Sequence, residues 1–380
     1  MKKRWTKIIC LFIICSFSSV FFTGCTNAVE LENLGIILAL GFEAGENTNF
    51  KISVQLLDID SKINDNKIGS QVYEEEGGTI IDAIEKINKK VGRKFNFSHA
   101  QYVVIEDSLA RKGIGEIVDF LLRFNQIRPD LPILITESKV EDILMAKVST
   151  NKISAFSVND LNDVQRKRGY SVKTTIQRYI SNINAGPKCD IFGVIRTNKN
   201  QNENYIISGL AVFKEGKLIG YFSQEEARGV NFIKGKISKG IVSILFDNNN
   251  NIGLEIYDSS SKIETKIVKG KLQVKVKISV KSNIYEVSKQ LDFVKNPQLL
   301  SEISKKEDEV IYAEVKMAIY KAQKKLGIDA LQFGENLYRK KYSQWKSVTN
   351  QWDKIFKEAN IQVEVVSKIN QTGGTNKLKQ

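Results

Sequence analysis

The chain has 380 residues, of which 42% are apolar and 26% charged, with only 4 prolines. That length exceeds one ordinary core and points to two or three domains, and the composition excludes a disordered or fibrous protein. The formal charge is +14; four of the 57 basic residues and none of the 43 acidic ones lie in the first 24, so the remainder keeps +10, mostly as scattered lysine. Such a surface suits a place beside anionic lipid headgroups. No basic block is interleaved with aromatics, so nucleic acid is not an expected partner.

Residues 1–24 read as a secretory signal. Lys2, Lys3, Arg4 and Lys7 form its charged start, and Ile8 to Phe22 its apolar stretch. At 15 residues that stretch is shorter than the ~20 needed for a permanent membrane helix. Phe22-Thr23-Gly24-Cys25 follows. It resembles the lipobox of bacterial lipoproteins, in which the cysteine sulfur takes diacylglycerol and the chain is cut just before it. Phe22 stands where leucine is usual. The competing reading is an uncleaved signal anchor. Of the four cysteines, Cys10 and Cys15 leave with the signal and Cys25 is consumed by lipid. Cys189 then lacks a partner, and a buried small hydrophobe is its expected role.

Leu34 to Phe42 reads as a central strand, and Phe50, Ile52, Val54 and Leu56 as a half-buried one after a turn at Gly45 to Asn49. Residues 60–76 read as a polar, acidic loop. Thr79 caps a helix carrying Ile80, Ile84, Ile87 and Val91. Tyr102 to Ile105 is a buried strand, and Ser108 opens a helix with Leu109, Ile114, Ile117, Val118, Leu121 and Leu122 inward. Ile133 to Thr136 is a strand, and Ser138 to Glu141 a capping box for a helix through Ala146. This unit is α+β or α/β. Residues 157–184 read as helical up to Gly186-Pro187, and 189–290 as β. There Ile206 to Phe213 and Leu218 to Phe222 form a hairpin about Glu215-Gly216. Leu272, Val274, Val276, Ile278 and Val280 line one strand face. The last third carries a long helix from Leu299 to Leu326, helices at 329–341 and 343–358, a strand from Ile361 to Ile369, and a polar tail from Thr372.

Catalytic patterns are missing. The one histidine, His99, cannot supply the several imidazoles that metal hydrolases use, and the sequence holds no G-x-S-x-G elbow, Walker loop or G-x-G-x-x-G. His99 reads as a partly buried, hydrogen-bonded residue at a strand entry. Arg123 and Arg128 read as structural, capping carbonyls or awaiting an acidic partner. Trp345 and Trp352, seven apart, read as core. No catalytic, metal or cofactor-binding residue is expected.

Four stretches together resemble the Ger(x)C family, the C subunits of bacterial spore germinant receptors. They are Val29 to Phe42; Phe95 to Ile105 with Leu109 to Ile114 and Phe120 to Arg123; Ile207 to Lys214 with Leu218 to Gly220; and Trp345, Trp352, Phe356 with the valine-rich end. The family's Cys-Trp-Asp-Arg-Arg-Glu-Leu is replaced by Cys25-Thr-Asn-Ala-Val-Glu-Leu31, so no role transfers to those positions. The resemblance implies an α+β, three-domain body with mixed sheets, divided here as signal 1–24, N-terminal domain 25–200, middle mainly β domain 201–265, C-terminal domain 266–370 with the long helix, and a disordered tail 371–380. It also implies a non-enzymatic lipoprotein carrying diacylglycerol, with an N-acyl chain as a further option, on Cys25. Its place would be the outer face of the spore inner membrane, and its partners two integral membrane subunits of A and B type, with nutrient contact direct or indirect. The alternative is a solute-binding lipoprotein of a transporter; an exported enzyme is a further rival.

Overall fold

Strands apolar on both faces must be covered on both, and this accounts for the first half of the fold. The computed structural model describes residues 4–5, 33–58, 69–146, 153–183, 189–198, 204–247, 250–288, 291–293 and 295–371. Strands β1 (Leu34–Ala44), β5 (Tyr102–Glu106), β6 (Ile133–Thr136) and β7 (Cys189–Asn198) run parallel side by side. Val103, Ile105, Ile133 and Ile135 point into one core, while Tyr102, Val104 and Leu134 point into another. Each such buried side chain contributes about 1.5–3 kcal/mol. The first core is roofed by helices α1 (Ile80–Val91), α2 (Asp107–Lys112) and α3 (Gly115–Arg123), the second by α4 (Val140–Met145) and α5 (Ser154–Arg168).

Antiparallel strands complete this sheet. β2 (Phe50–Asp58) and β3 (Gly69–Gly77) extend one edge, β8 (Asn204–Lys214) and β9 (Lys217–Phe222) the other, and β4 (Lys94–Asn96) adds to β1. The order is β3-β2-β1-β5-β6-β7-β8-β9 in a nine-stranded sheet. A second, four-stranded sheet has the order β10-β11-β12-β13, with β10 Gly240–Asp247, β11 Asn250–Val268, β12 Lys271–Val287 and β13 Asn360–Gln371. β13 joins β12 in parallel; the other two pairings are antiparallel. Helices α6 (Ile176–Ile183), α7 (Gln224–Ile233), α8 (Gln298–Tyr320), α9 (Phe333–Lys340), α10 (Tyr342–Val348) and α11 (Trp352–Lys357) complete the body. The fold is α+β with two mixed sheets.

One core ties the sheets together. Ile191, Leu210, Val212 and Phe222 of the large sheet share it with Val242, Ile252, Val274 and Val276 of the small one and with Ile311 and Val315 of α8. The chain leaves the large sheet after Phe222 and enters the small one at Gly240, with α7 between. The expected boundary at 200/201 falls between β7 and β8, which are paired neighbours, and that at 265/266 falls inside β11.

Several local expectations meet the structure directly. Thr79 caps α1, its hydroxyl accepting from Asp82 N at 3.2 Å. The 206–222 hairpin and the alternating face of β12 stand where they were read. Others are corrected. The acidic segment ending at 76 runs into edge strand β3, because its backbone pairs antiparallel with β2 from Gly69 to Gly77 while its side chains are largely charged; Lys51 meets Glu74 at 2.9 Å, and Lys90 pairs with Glu75. The helix from Ser108 is two helices, broken at Gly113 with φ 132, a left-handed backbone that suits glycine. Ser138 caps nothing; its hydroxyl serves Thr197 of β7 at 3.0 Å. The β-read region contains α7, held by a capping box between Ser223 and Glu226. The long helix ends at Tyr320 and continues as a π-turn over Lys321–Leu326. Cys25, the lipobox, Gly186-Pro187 and the tail from Thr372 lie outside the described residues.

Candidate functional site at the seam between the sheets

The seam between the two sheets concentrates the buried charge of the molecule. Asp329, 1% exposed, sits before α9 and accepts from Phe333 N at 3.0 Å, Gly334 N at 2.6 Å and Trp352 Nε1 at 3.2 Å. Burial outweighs these three donors and pushes its carboxyl up to about 7. Across the seam, Asp190 of β7 is also buried and raised to about 6 by desolvation, with Asn182 Nδ2 donating to it at 2.7 Å. Lys234, at the end of α7, is half-buried, and desolvation lowers it to about 8. Cys189 is buried between these charges and its thiol is pushed up, an unreactive state that fits the small-hydrophobe reading.

Two clefts open on either side of this cluster. The first, about 990 Å³, runs from Cys189, Lys214 and Glu215 to Asp329, Trp345 and the 349–354 segment, and Lys214 pairs with Asp353 across it. Trp345 and Trp352 are both buried, their rings edge to face with centroids 5.0 Å apart. They are core, as expected, but on separate helices rather than one face. The second cleft, about 710 Å³, lies between α6 and α9 with Ile191 and Lys234 at its floor.

A second buried charge pair lies close by. Arg228 of α7 meets Glu314 of α8 at 3.2 Å and donates to Tyr170 Oη and Ile241 O at 3.2 and 3.1 Å. Burial raises the Glu314 carboxyl to about 7 against the pull of Arg228. Glu307, fully buried on α8, accepts from Ser282 Oγ at 2.6 Å, and desolvation raises it to about 7.

The other singled-out residues are not brought into this seam. His99 is exposed in a turn, which corrects the partly buried reading: the strand begins only at Tyr102, so the turn before it stays in solvent. Arg123 pairs with Asp119 one helical turn back at 2.7 Å, and Arg128 donates to the Ala100 carbonyl at 3.1 Å, both structural roles. Among the described residues no group of three or more His, Cys, Asp or Glu is placed to hold a metal ion, and no helix is long and apolar enough to cross a membrane. Sequence reasoning missed Asp190, Arg228, Lys234, Glu307, Glu314 and Asp329. Only the Ser-Gln-Glu-Glu start of α7 offered a local signal, and it would have placed Arg228 on a helix.

The comparisons bear on the whole chain. Residues 27–195 match the family model described as the spore germination protein N-terminal domain, and residues 208–373 match spore germination B3/GerAC like, C-terminal. Spore germination protein KC of Bacillus subtilis is 26% identical, over 96% of this chain and 95% of its own. The putative spore germination protein YfkR of the same organism is 22% identical, and spore germination protein GerQC of Bacillus cereus 21%, each alignment covering 98% of this chain. These cover 98% and 99% of those relatives' own lengths. The crystal structure of the GerBC protein has the same fold, with TM-score 0.58 and 17% identity over 87% of this chain and 96% of that one. With both domain models matched in order and relatives aligned end to end, the chain belongs to the Ger(x)C family of spore germination proteins.

Proposed function

We propose that the chain is the lipid-anchored C subunit of a spore germinant receptor, acting in nutrient-triggered germination by assembly with two integral membrane subunits of A and B type. The observation that carries this reading is the end-to-end likeness to proteins named for spore germination, in both family segments at once. Cys25 would carry the diacylglycerol. Each buried methylene contributes about 0.8 kcal/mol, so two or more acyl chains hold the body at the membrane where one would not. The +10 of the remaining chain favours an anionic lipid surface. The anchored body would stand on the outer face of the spore inner membrane and work through contacts rather than catalysis.

The transporter alternative is disfavoured by the core. A solute-binding lipoprotein closes two lobes over a cleft, whereas the two sheets here share one continuous apolar cluster that leaves little freedom for a hinge. The experiment is a gene deletion scored by germination against amino acids, sugars and salts. Loss of response to some nutrients, with a receptor-independent trigger intact, is the expected result. A full response to every nutrient, together with no membrane partner on copurification, would return the lead to the alternative.

A further inference from the structure

The 710 Å³ cleft beside the seam is lined by Arg166, Lys173, Arg178, Lys234, Lys236 and Arg339, against the single carboxylate of Glu335. Part of that charge is neutralised: Arg166 and Lys173 lie 3.5 and 4.0 Å from Asp163, and Arg339 pairs with Glu335 at 2.5 Å. Arg178, Lys234 and Lys236 make no direct ion pair, although Asp190 attracts Arg178 and Lys234, and Glu335 and Asp329 attract Lys234 more weakly than a direct contact would. Among the described residues none of these three side chains has an ion pair or hydrogen-bond partner. They come from α6, the end of α7 and the turn after it, so no local helix pattern forces them together. Arg178 and Lys234 are close enough for like-charge repulsion to be felt, and that repulsion adds to the desolvation that lowers Lys234. Lys234 is half-buried and Arg178 and Lys236 stand exposed at the rim, so the cleft presents a summed positive field that favours an entering anion.

The lining also narrows the ligand. Only Val172 and Ile191 are apolar, which leaves little for a hydrophobic side chain to bury against. A planar carboxylate is gripped best by one bidentate arginine, whereas lysines act as point charges around a phosphate. Lys234 and Lys236, at the end of α7 and in the turn after it, face Arg178 of α6, and two lysines with one arginine fit the second case. We propose that this cleft binds a small phosphate-type oxyanion, with Arg178, Lys234 and Lys236 as its direct contacts. The source is either a free phosphate compound or the phosphate of an anionic lipid headgroup.

The test uses the purified full-length protein in detergent. Isothermal titration calorimetry is run with inorganic pyrophosphate in one arm and glycerophosphoglycerol, the deacylated headgroup of phosphatidylglycerol, in the other. One saturable site is expected. Arg178→Gln, an exposed change that leaves the core untouched, should weaken it about tenfold, as should Lys234→Met. Lys271→Ala, on the small sheet far along the chain, should leave it unchanged. Tighter pyrophosphate binding assigns the site to free phosphate compounds, and tighter headgroup binding to lipid. Absence of saturable binding in both arms, or binding indifferent to Arg178→Gln, overturns the proposal.

Discussion

Gly229→Ala should separate helices α7 and α8. A Cβ at this position would lie 2.2 Å from the Glu314 carbonyl oxygen, 2.7 Å from its carbon and 2.9 Å from Ala318 Cβ. The obstacle is backbone in the middle of a long helix, so it cannot rotate aside. Reaching an ordinary contact needs a shift of about 1 Å between two packed helices. Alanine in a helix interior recovers up to about 1 kcal/mol of propensity. Overpacking costs about 1–3 kcal/mol, and the neighbouring Arg228–Glu314 pair at 3.2 Å would be stretched as well. A net loss of about 2 kcal/mol follows, or roughly 3 °C in Tm for a chain of this length. Thermal unfolding followed by circular dichroism measures it, with Gly115→Ala as control, since nothing lies within 4 Å of a Cβ there. A Gly229→Ala protein as stable as the parent would refute the claim that this close approach is rigid.

Glu307 titrates near 7 in the folded protein against an ordinary 4.5, so the folded state holds the extra proton. Its stabilising contribution is complete below about pH 4.5 and is lost as pH rises through 7. Glu307→Gln should therefore gain up to about 3 kcal/mol at pH 8 and little at pH 5 in urea unfolding, and equal shifts at both pH values would contradict this. Arg228→Met leaves Glu314 buried without its partner and should cost about 3 kcal/mol; adding Glu314→Gln should restore part of the loss, and strict additivity of the two changes would argue against a coupled pair. Cys25→Ala should move the protein from the membrane to the soluble fraction with its far-ultraviolet spectrum intact, whereas a variant still anchored and active would sink the lipobox argument.

The sequence carried the fold wherever a local period decided it. Leu272 to Val280 alternates cleanly because one face of β12 is buried, and Thr79 announces α1 through its own hydroxyl. β3 was hidden because Val72 and Tyr73 are its only large apolar residues and its support is backbone pairing with β2, a strand distant enough in sequence that no local period announces it. The helix break at Gly113 follows from a backbone angle that composition does not encode. The seam was illegible for a different reason. Glu307 answers Ser282, Arg228 answers Glu314, and Asp329 answers Trp352 over gaps of tens of residues. Each carboxylate or guanidinium looks like solvated surface charge until the fold buries it. The basic cleft gathers cations from Arg166 to Arg339, a span no short motif covers. Cys25 is the reverse case, readable from its neighbours alone.

The most direct test of the account is mass spectrometry of the affinity-tagged protein drawn from detergent-solubilised spore inner membranes. The account predicts a diacylglycerol-modified N-terminal peptide beginning at Cys25, recovered with two integral membrane proteins. An unmodified Cys25 in a protein recovered without membrane partners would contradict it.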